Sequence, residues 1–207
     1  EQMRSLVLNL LEISRLESGA VMKQDVVDVF ELLRSAVLNY SRQAQDKEQR
    51  LELSLAEGVQ ARIAGDAVLL QEMVANLIGN AIKYTPAGGA VTIELQRGSS
   101  EERDSSEGRK YSEGHKDTHI GLRIRDTGPG IPSGEQRNVF KRFYRLEKHR
   151  SQKGMGLGLT LVAAVCKVHN ATIELDSNNG LIVDIRIPLD LQAETEAFAA
   201  TQATDGT

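Results

Sequence analysis

Asn76, Asn80, Lys83 and Tyr84 stand at i, i+4, i+7 and i+8, so on a helix all four project from one side. At about 100° per residue, their mean direction lies roughly 120° from that of Leu70, Val74, Leu77, Ile78 and Ala81. The apolar side then packs on a sheet, and the flank presents two carboxamides, an ammonium and a phenol. Such groups do not line a dry core, because each buried polar group needs a partner. Together they suit a hydrated metal-phosphate. A carboxamide oxygen is a neutral hard ligand for Mg2+, and a lysine is a point charge for phosphate. The tyrosine ring offers a surface on which a base stacks. A wet helix flank without a ligand satisfies the same spacing.

Two glycine-rich runs follow. Arg125-Asp126-Thr127-Gly128-Pro129-Gly130-Ile131-Pro132 comes directly after an alternating stretch, which describes a tight turn where backbone approaches something closely. Asp126 at the strand end either accepts a hydrogen bond from an amino group, selecting adenine over guanine, or closes a structural Asx turn. Lys153-Gly154-Met155-Gly156-Leu157-Gly158-Leu159 opens a helix, so its N–H groups and the helix dipole can face phosphate. The glycine spacing is not that of a dinucleotide-binding fingerprint, and no Gly-x4-Gly-Lys-Ser/Thr run exists. Between the runs, Ser133 and Gln136 form a capping-box pattern that starts a short helix ending in Phe140-Lys141-Arg142-Phe143-Tyr144-Arg145. Lys148, His149 and Arg150 extend a locally basic stretch. Its arginines either hold a triphosphate or belong to a solvated loop, and a glycine-hinged segment of this length behaves as a lid.

These residues need elements to carry them. The spacing of Met3, Leu6, Leu10, Ile13 and Glu17 predicts a helix over 1–19 with Gly19 as its cap. Its narrow seam fits a helix-bundle contact and an amphipathic helix on its own domain equally well. A second helix starts at Asp28, with Glu31 completing a capping box. Alternation predicts strands at Arg50–Leu55, weakly at Ala61–Ala64, at Val91–Leu95 and at Ile120–Ile124. A third helix covers Asp66–Tyr84, and a fourth lies between Gly156 and His169. Ala171–Leu175 and Leu181–Ile187 flank Ser177-Asn178-Asn179-Gly180, a strong hairpin signal. Arg97–Thr118, almost free of aliphatics, reads as a solvated hairpin extension, and the tail after Leu191 as frayed.

Length and composition exclude several other functions. The 207 residues carry 25 Lys plus Arg against 29 Asp plus Glu, a formal charge of −4, which disfavours binding of nucleic acid through a basic surface. One cysteine, Cys166, excludes an internal disulfide and reads as a small buried helix residue. The four histidines have no metal-ligand spacing, and His169 reads as a capping or core residue. No serine-hydrolase elbow or protein-kinase catalytic loop occurs. No apolar run reaches the roughly eighteen residues of a membrane span. The chain begins at Glu1, so an excised piece of a longer protein is expected.

The four boxes in this order resemble those of bacterial two-component sensor histidine kinases, within the gyrase and mismatch-repair ATPase superfamily. Leu70-x5-Asn76-Leu77-Ile78-Gly79-Asn80-Ala81-Ile82-Lys83-Tyr84-Thr85-Pro86 looks like that family's N box, and Asp126–Ile131 is similar to its G1 box. Phe140–Arg145 resembles the F box, and Gly154–Leu159 the G2 box. Leu10–Gly19 looks like the end of the second dimerisation helix. The resemblance implies the Bergerat fold: a two-layer α/β sandwich with a mixed, mostly antiparallel sheet and about three helices on one face. A helical remnant of the dimerisation bundle (residues 1–22) would precede a catalytic domain over 23–190, with a flexible insertion at 97–118, an ATP lid at 127–156 and a tail at 191–207.

By the same resemblance, ATP and Mg2+ are the expected ligands. Asn80 would hold the metal, Asn76 and Lys83 would stand near the phosphates, and Tyr84 would lie against adenine, with Asp126 accepting from its amino group. Gly128, Gly130 and Ile131 would shape the adenine pocket. Gly154, Gly156 and Gly158, with Lys153 and Leu157, would bring the lid onto the phosphates, and Arg142 and Arg145 would hold the γ-phosphate. The gyrase-type relatives have a water-activating glutamate where this chain has Asn76. A carboxamide cannot act as a general base, so phosphate awaits a protein acceptor. The implied activity is transfer of the γ-phosphoryl group to a histidine on the protein's own dimerisation domain, in a homodimer, for relay to a response regulator. The alternative is a catalytically degenerate module that only senses nucleotide. Nothing in the chain matches the family's acceptor histidine. Leu181-Ile182 stands where many members have Ser or Thr after the last hairpin turn. A cytoplasmic domain without membrane contact is expected, in a parent anchored in the inner membrane.

Overall fold

In a computed structural model, the structure describes residues 2–18, 23–56, 61–98, 119–146 and 155–189. Helix α1 (Gln2–Glu17) precedes β1 (Asp25–Asp28), α2 (Val29–Asp46), β2 (Arg50–Leu55), β3 (Arg62–Gly65) and α3 (Ala67–Tyr84). Strands β4 (Ala90–Gly98) and β5 (His119–Asp126), helix α4 (Gly158–Val168), and strands β6 (Thr172–Asp176) and β7 (Ile182–Pro188) follow. Five strands form one sheet in the order β2-β4-β5-β7-β6, parallel only between β2 and β4. β1 and β3 make a separate antiparallel pair. Val91, Ile93, Leu95, Ile120, Leu122, Ile124, Val183, Ile185 and Ile187 are all buried on the inner face. α2 packs on β2, α3 on β4 and β5, and α4 on β6, giving the expected two-layer sandwich with three helices on one face.

Local chemistry explains the helix starts. The Asp28 side chain accepts from the Glu31 N–H at 3.2 Å, and Asp66 accepts from Val68 and Leu69, so both helices begin on a carboxylate cap. The capping box at Ser133 is not made. Ser133–Glu135 and Asn138–Phe140 are two short 3-10 turns, and the position before the first is Pro132, which offers no side-chain cap. Sequence patterning also missed β1. Only Val27 of its four residues is buried, and two aspartates bracket it, so neither strand periodicity nor propensity marks it.

Other expectations need adjustment. Strands β4 and β5 run further than their alternation predicted, with Gly98 opposite His119. Arg97 and Gly98 therefore belong to the sheet, and residues 99–118 and the tail from 190 lie outside the described residues, as does Gly19. In α1, Ile13 and Leu16 are buried and the helix packs on α4, whereas Val7 and Leu11 are exposed. Part of the apolar seam thus lies on the same chain, and part faces outward.

His169 ties α4 to α3. Its Nδ1 lies 2.8 Å from the Val165 carbonyl, and its Nε2 accepts the Asp66 N–H at 3.0 Å. This is the core role its position implied. Cys166 is buried too, and burial pushes its thiol up to about 12, which keeps it inert at neutral pH.

The β6–β7 turn packs on the end of β5. Gly180 adopts φ +130, and a Cβ there would stand 1.8 Å from the Asp126 carbonyl oxygen. Gly180→Ala is therefore expected to destabilise the domain by about 2–4 kcal/mol, from the unfavourable φ and the backbone clash together. Urea unfolding measures it, and a loss below about 0.5 kcal/mol would contradict the packing.

Candidate nucleotide site

Helix α3 supplies one wall of the site. Buried Leu69, Leu70, Met73, Val74, Leu77, Ile78, Ala81 and Ile82 fix its core side. Asn76, Asn80, Lys83 and Tyr84 consequently all open into one cavity of about 270 Å³. The Asn76 Nδ2 donates to the Glu72 carbonyl at 2.9 Å, which leaves its Oδ1 as the exposed acceptor. The Lys83 ammonium donates to the Tyr84 hydroxyl at 3.2 Å and stands 4.8 Å from the ring centre. The two residues form a single cationic, aromatic corner.

The opposing pieces come from four separate segments. Asp126 ends β5, Gly130 and Ile131 follow it, Tyr144 and Arg145 come from the basic stretch, and Gly156, Leu157 and Gly158 open α4. Leu181, just before β7, and Val183 within it also line the cavity. α4 starts without a side-chain cap, so its first N–H groups are left for a ligand. Gly158 lies against the carboxamide, since a Cβ there would stand 2.8 Å from Asn76 Oδ1 and displace that side chain. The helix start and the carboxamide are thereby held next to each other.

Asp126 is only 4 % exposed. Burial pushes its carboxyl above the usual carboxylate range, and the N–H groups of Gly128 and Leu181 pull it back. Both fall on Oδ1, at 2.7 and 3.3 Å. The bond to Gly128 is the Asx turn that the sequence offered as one alternative, and the same residue also lines the cavity. Gly128 itself does not line the cavity. It contributes the N–H that orients the carboxylate.

Arg142 also lies outside the lining. Its guanidinium donates to the carboxylate of Glu17 at the end of α1. Lys153 and Gly154 fall outside the described residues. Gly156 adopts φ +70 and its carbonyl accepts the Phe143 N–H at 3.0 Å, while a Cβ would meet the Tyr144 carbonyl oxygen at 2.6 Å. It therefore joins the basic stretch to the start of α4. Tyr144, whose hydroxyl donates to Glu135, was named in the sequence only as part of an aromatic and basic run. Val139, Leu146, Met155 and Val183 gave no signal, since apolar lining residues carry the same pattern as core residues.

The arrangement suits an anionic purine nucleotide. Two cations, two neutral amides and a helix N-terminus are partners of the kind phosphate takes, and a buried acceptor with apolar neighbours is of the kind a base takes. Among the described residues no cluster of three His, Cys, Asp or Glu could hold a metal ion on its own. The oxygen donors present therefore fit a cation that brings phosphate and water ligands with it, as Mg2+ does.

Comparison with known proteins agrees with this geometry. Residues 65–191 match the family described as histidine kinase-, DNA gyrase B-, and HSP90-like ATPase. Sensor protein kinase PmrB of Pseudomonas aeruginosa is 33% identical over 192 residues, covering 91% of this chain and 36% of PmrB. The probable sensor histidine kinase TcrY of Mycobacterium tuberculosis is 36% identical over 193 residues, covering 92% of this chain and 36% of TcrY. The chain thus spans about a third of the length of these relatives. The solved structure of the mycobacterial sensor histidine kinase MprB superposes with a TM-score of 0.63 at 27% identity, covering 80% of this chain and 97% of that one. From the matched residues, the chain belongs to the histidine kinase-, DNA gyrase B- and HSP90-like ATPase family.

Proposed function

We propose that this domain binds ATP with Mg2+ and passes the γ-phosphoryl group to a histidine on a dimerisation domain, for onward transfer to a response regulator in two-component signalling. The observation that carries the reading is the meeting of Asn76, Asn80, Lys83 and Asp126 in one cavity at the uncapped start of α4. The bound metal would neutralise charge on the phosphates, with the Asn80 oxygen as its ligand from this chain. Lys83 and Arg145 attract the phosphates, the α4 N–H groups can receive them, and the Tyr84 ring flanks the base. Asp126 accepts the adenine amino group. The 6-oxo group of guanine would instead face a carboxylate and be repelled.

In the transfer, an imidazole nitrogen of the acceptor forms a bond to the γ-phosphorus. The bond from that phosphorus to the oxygen bridging it to the β-phosphate breaks, and ADP leaves with the electron pair. Asn76 stands where a carboxylate would activate water, and a carboxamide takes no proton. The group therefore survives until an imidazole arrives. We assign residues 1–22 to the end of a dimerisation helix. The domain would work on the cytoplasmic side of a homodimeric, membrane-anchored parent. No described helix is long and apolar enough to cross a membrane.

Asn80→Asp is expected to weaken MgATP by at least about tenfold, because an anion replaces a neutral ligand beside the phosphates. Unchanged affinity by calorimetry would count against the metal assignment. Asn76→Glu is expected to raise steady ATP hydrolysis by restoring a general base, at least about tenfold above the parent chain. A hydrolysis rate equal to the parent's would remove the argument from Asn76.

Asp126→Asn separates binding from stability. The raised carboxyl pKa means that the folded state holds its proton more tightly than the unfolded chain. Its stabilising effect is complete below the ordinary aspartate pKa and disappears as pH rises through the folded value. At neutral pH the buried charge is thus a net burden on the fold. The variant should keep or raise the melting temperature at pH 7 and lose about 100-fold in ATP affinity, with discrimination against GTP reduced. Retained ATP affinity would overturn the adenine assignment.

A further inference from the structure

Helix α3 ends without the glycine that usually receives a helix terminus. Thr85 leaves in extended backbone, φ −70 and ψ 132, as a residue before proline must. The last carbonyls of the helix are then orphaned. A different element takes them. The Lys47 ammonium donates to the carbonyls of Ile82 at 2.6 Å, Lys83 at 3.2 Å and Thr85 at 3.0 Å. The Gln49 Nε2 donates to Ile82 at 3.1 Å and Thr85 at 2.6 Å.

Both donors sit in the connection between α2 and β2, on either side of Glu48, whose φ of +56 turns the chain so that they converge. Gln49 is buried, and its Oε1 has no partner among the described residues. Its amide is oriented through Nε2, by the carbonyls at the end of α3 and of the Thr85-Pro86 exit, the last at 3.3 Å. A cation at a helix C-terminus also meets the negative end of the dipole.

The clamped turn is the one that carries Lys83 and Tyr84 into the cavity, whereas Asn76 and Asn80 lie one to two turns earlier. We infer that Lys47, supported by Gln49, is a positioning residue for nucleotide binding. It never touches the nucleotide. By holding the final turn of α3 it sets where the Lys83 ammonium and the Tyr84 ring stand relative to Asn80. This rests on the ATP reading above.

A double-mutant cycle on the 207-residue chain tests it, with MgATP affinity from calorimetry as the readout. Lys47→Met should weaken MgATP about tenfold in the parent background but less than about threefold when Lys83→Met is already present, because the two act through one contact. Lys47→Arg, which still donates to the carbonyls, should recover most of the loss. Equal losses in both backgrounds would overturn the inference. So would a lowered melting temperature with MgATP affinity within about twofold of the parent, since that is how a purely structural cap behaves. Should Lys47→Met fail to fold, the same cycle with Lys47→Gln decides by the same criteria. A parent chain that does not bind MgATP overturns the ATP reading itself, a result distinct from either outcome of the cycle.

Discussion

A carboxylate taken out of water is the constraint around which this domain is arranged. Ionised Asp126 would be costly where it stands, and two backbone N–H groups on one of its oxygens offset that cost. One comes from the turn after β5 and the other from Leu181, the residue before β7. The turn before β7 must therefore lie against β5, which only a residue without a Cβ allows at position 180. The sheet order that places β7 beside β5 is thus tied to the environment of this carboxylate. Removing that order would leave a buried anion without donors.

Helix α3 shows the same economy from the other wall. One side of it is buried in the core, and its flank lines the cavity, so the same packing that folds the helix places these groups. The position of each polar group follows from the burial of residues beside it: Leu77 next to Asn76, and Ile82 next to Lys83. The last turn carries a second restraint besides the buried Ile82. There the polar donors from the α2–β2 connection hold the carbonyls.

The sequence was most legible where periodicity and function coincide. The N-box flank could be read because amides and an ammonium recur on one face of an otherwise apolar helix, and the hairpin at 177–180 because asparagine and glycine tolerate positive φ. It was least legible where meaning depends on distant chain. Lys47 and Gln49 sat in a charged run that looks like any solvated helix end, since the carbonyls they serve lie over thirty residues away. β1 has no pattern of its own because it exists only through pairing with β3. Arg142 was grouped with Arg145 by proximity in sequence, and the structure separates them: one lines the cavity, the other meets α1. Asp126 offered a choice between turn and ligand that residue type alone could not resolve, because the carboxylate that closes the turn also lines the cavity.

Strand β5 joins two very different ends. His119 pairs with Gly98 at one end, and Asp126 stands at the other. Seven steps of extended chain separate them, roughly 23 Å. The polar stretch between β4 and β5 is therefore attached as far from Asp126 as this strand permits. That junction is a natural place to splice a fluorophore or an affinity handle, giving a reporter that travels with the domain and leaves its chemistry alone.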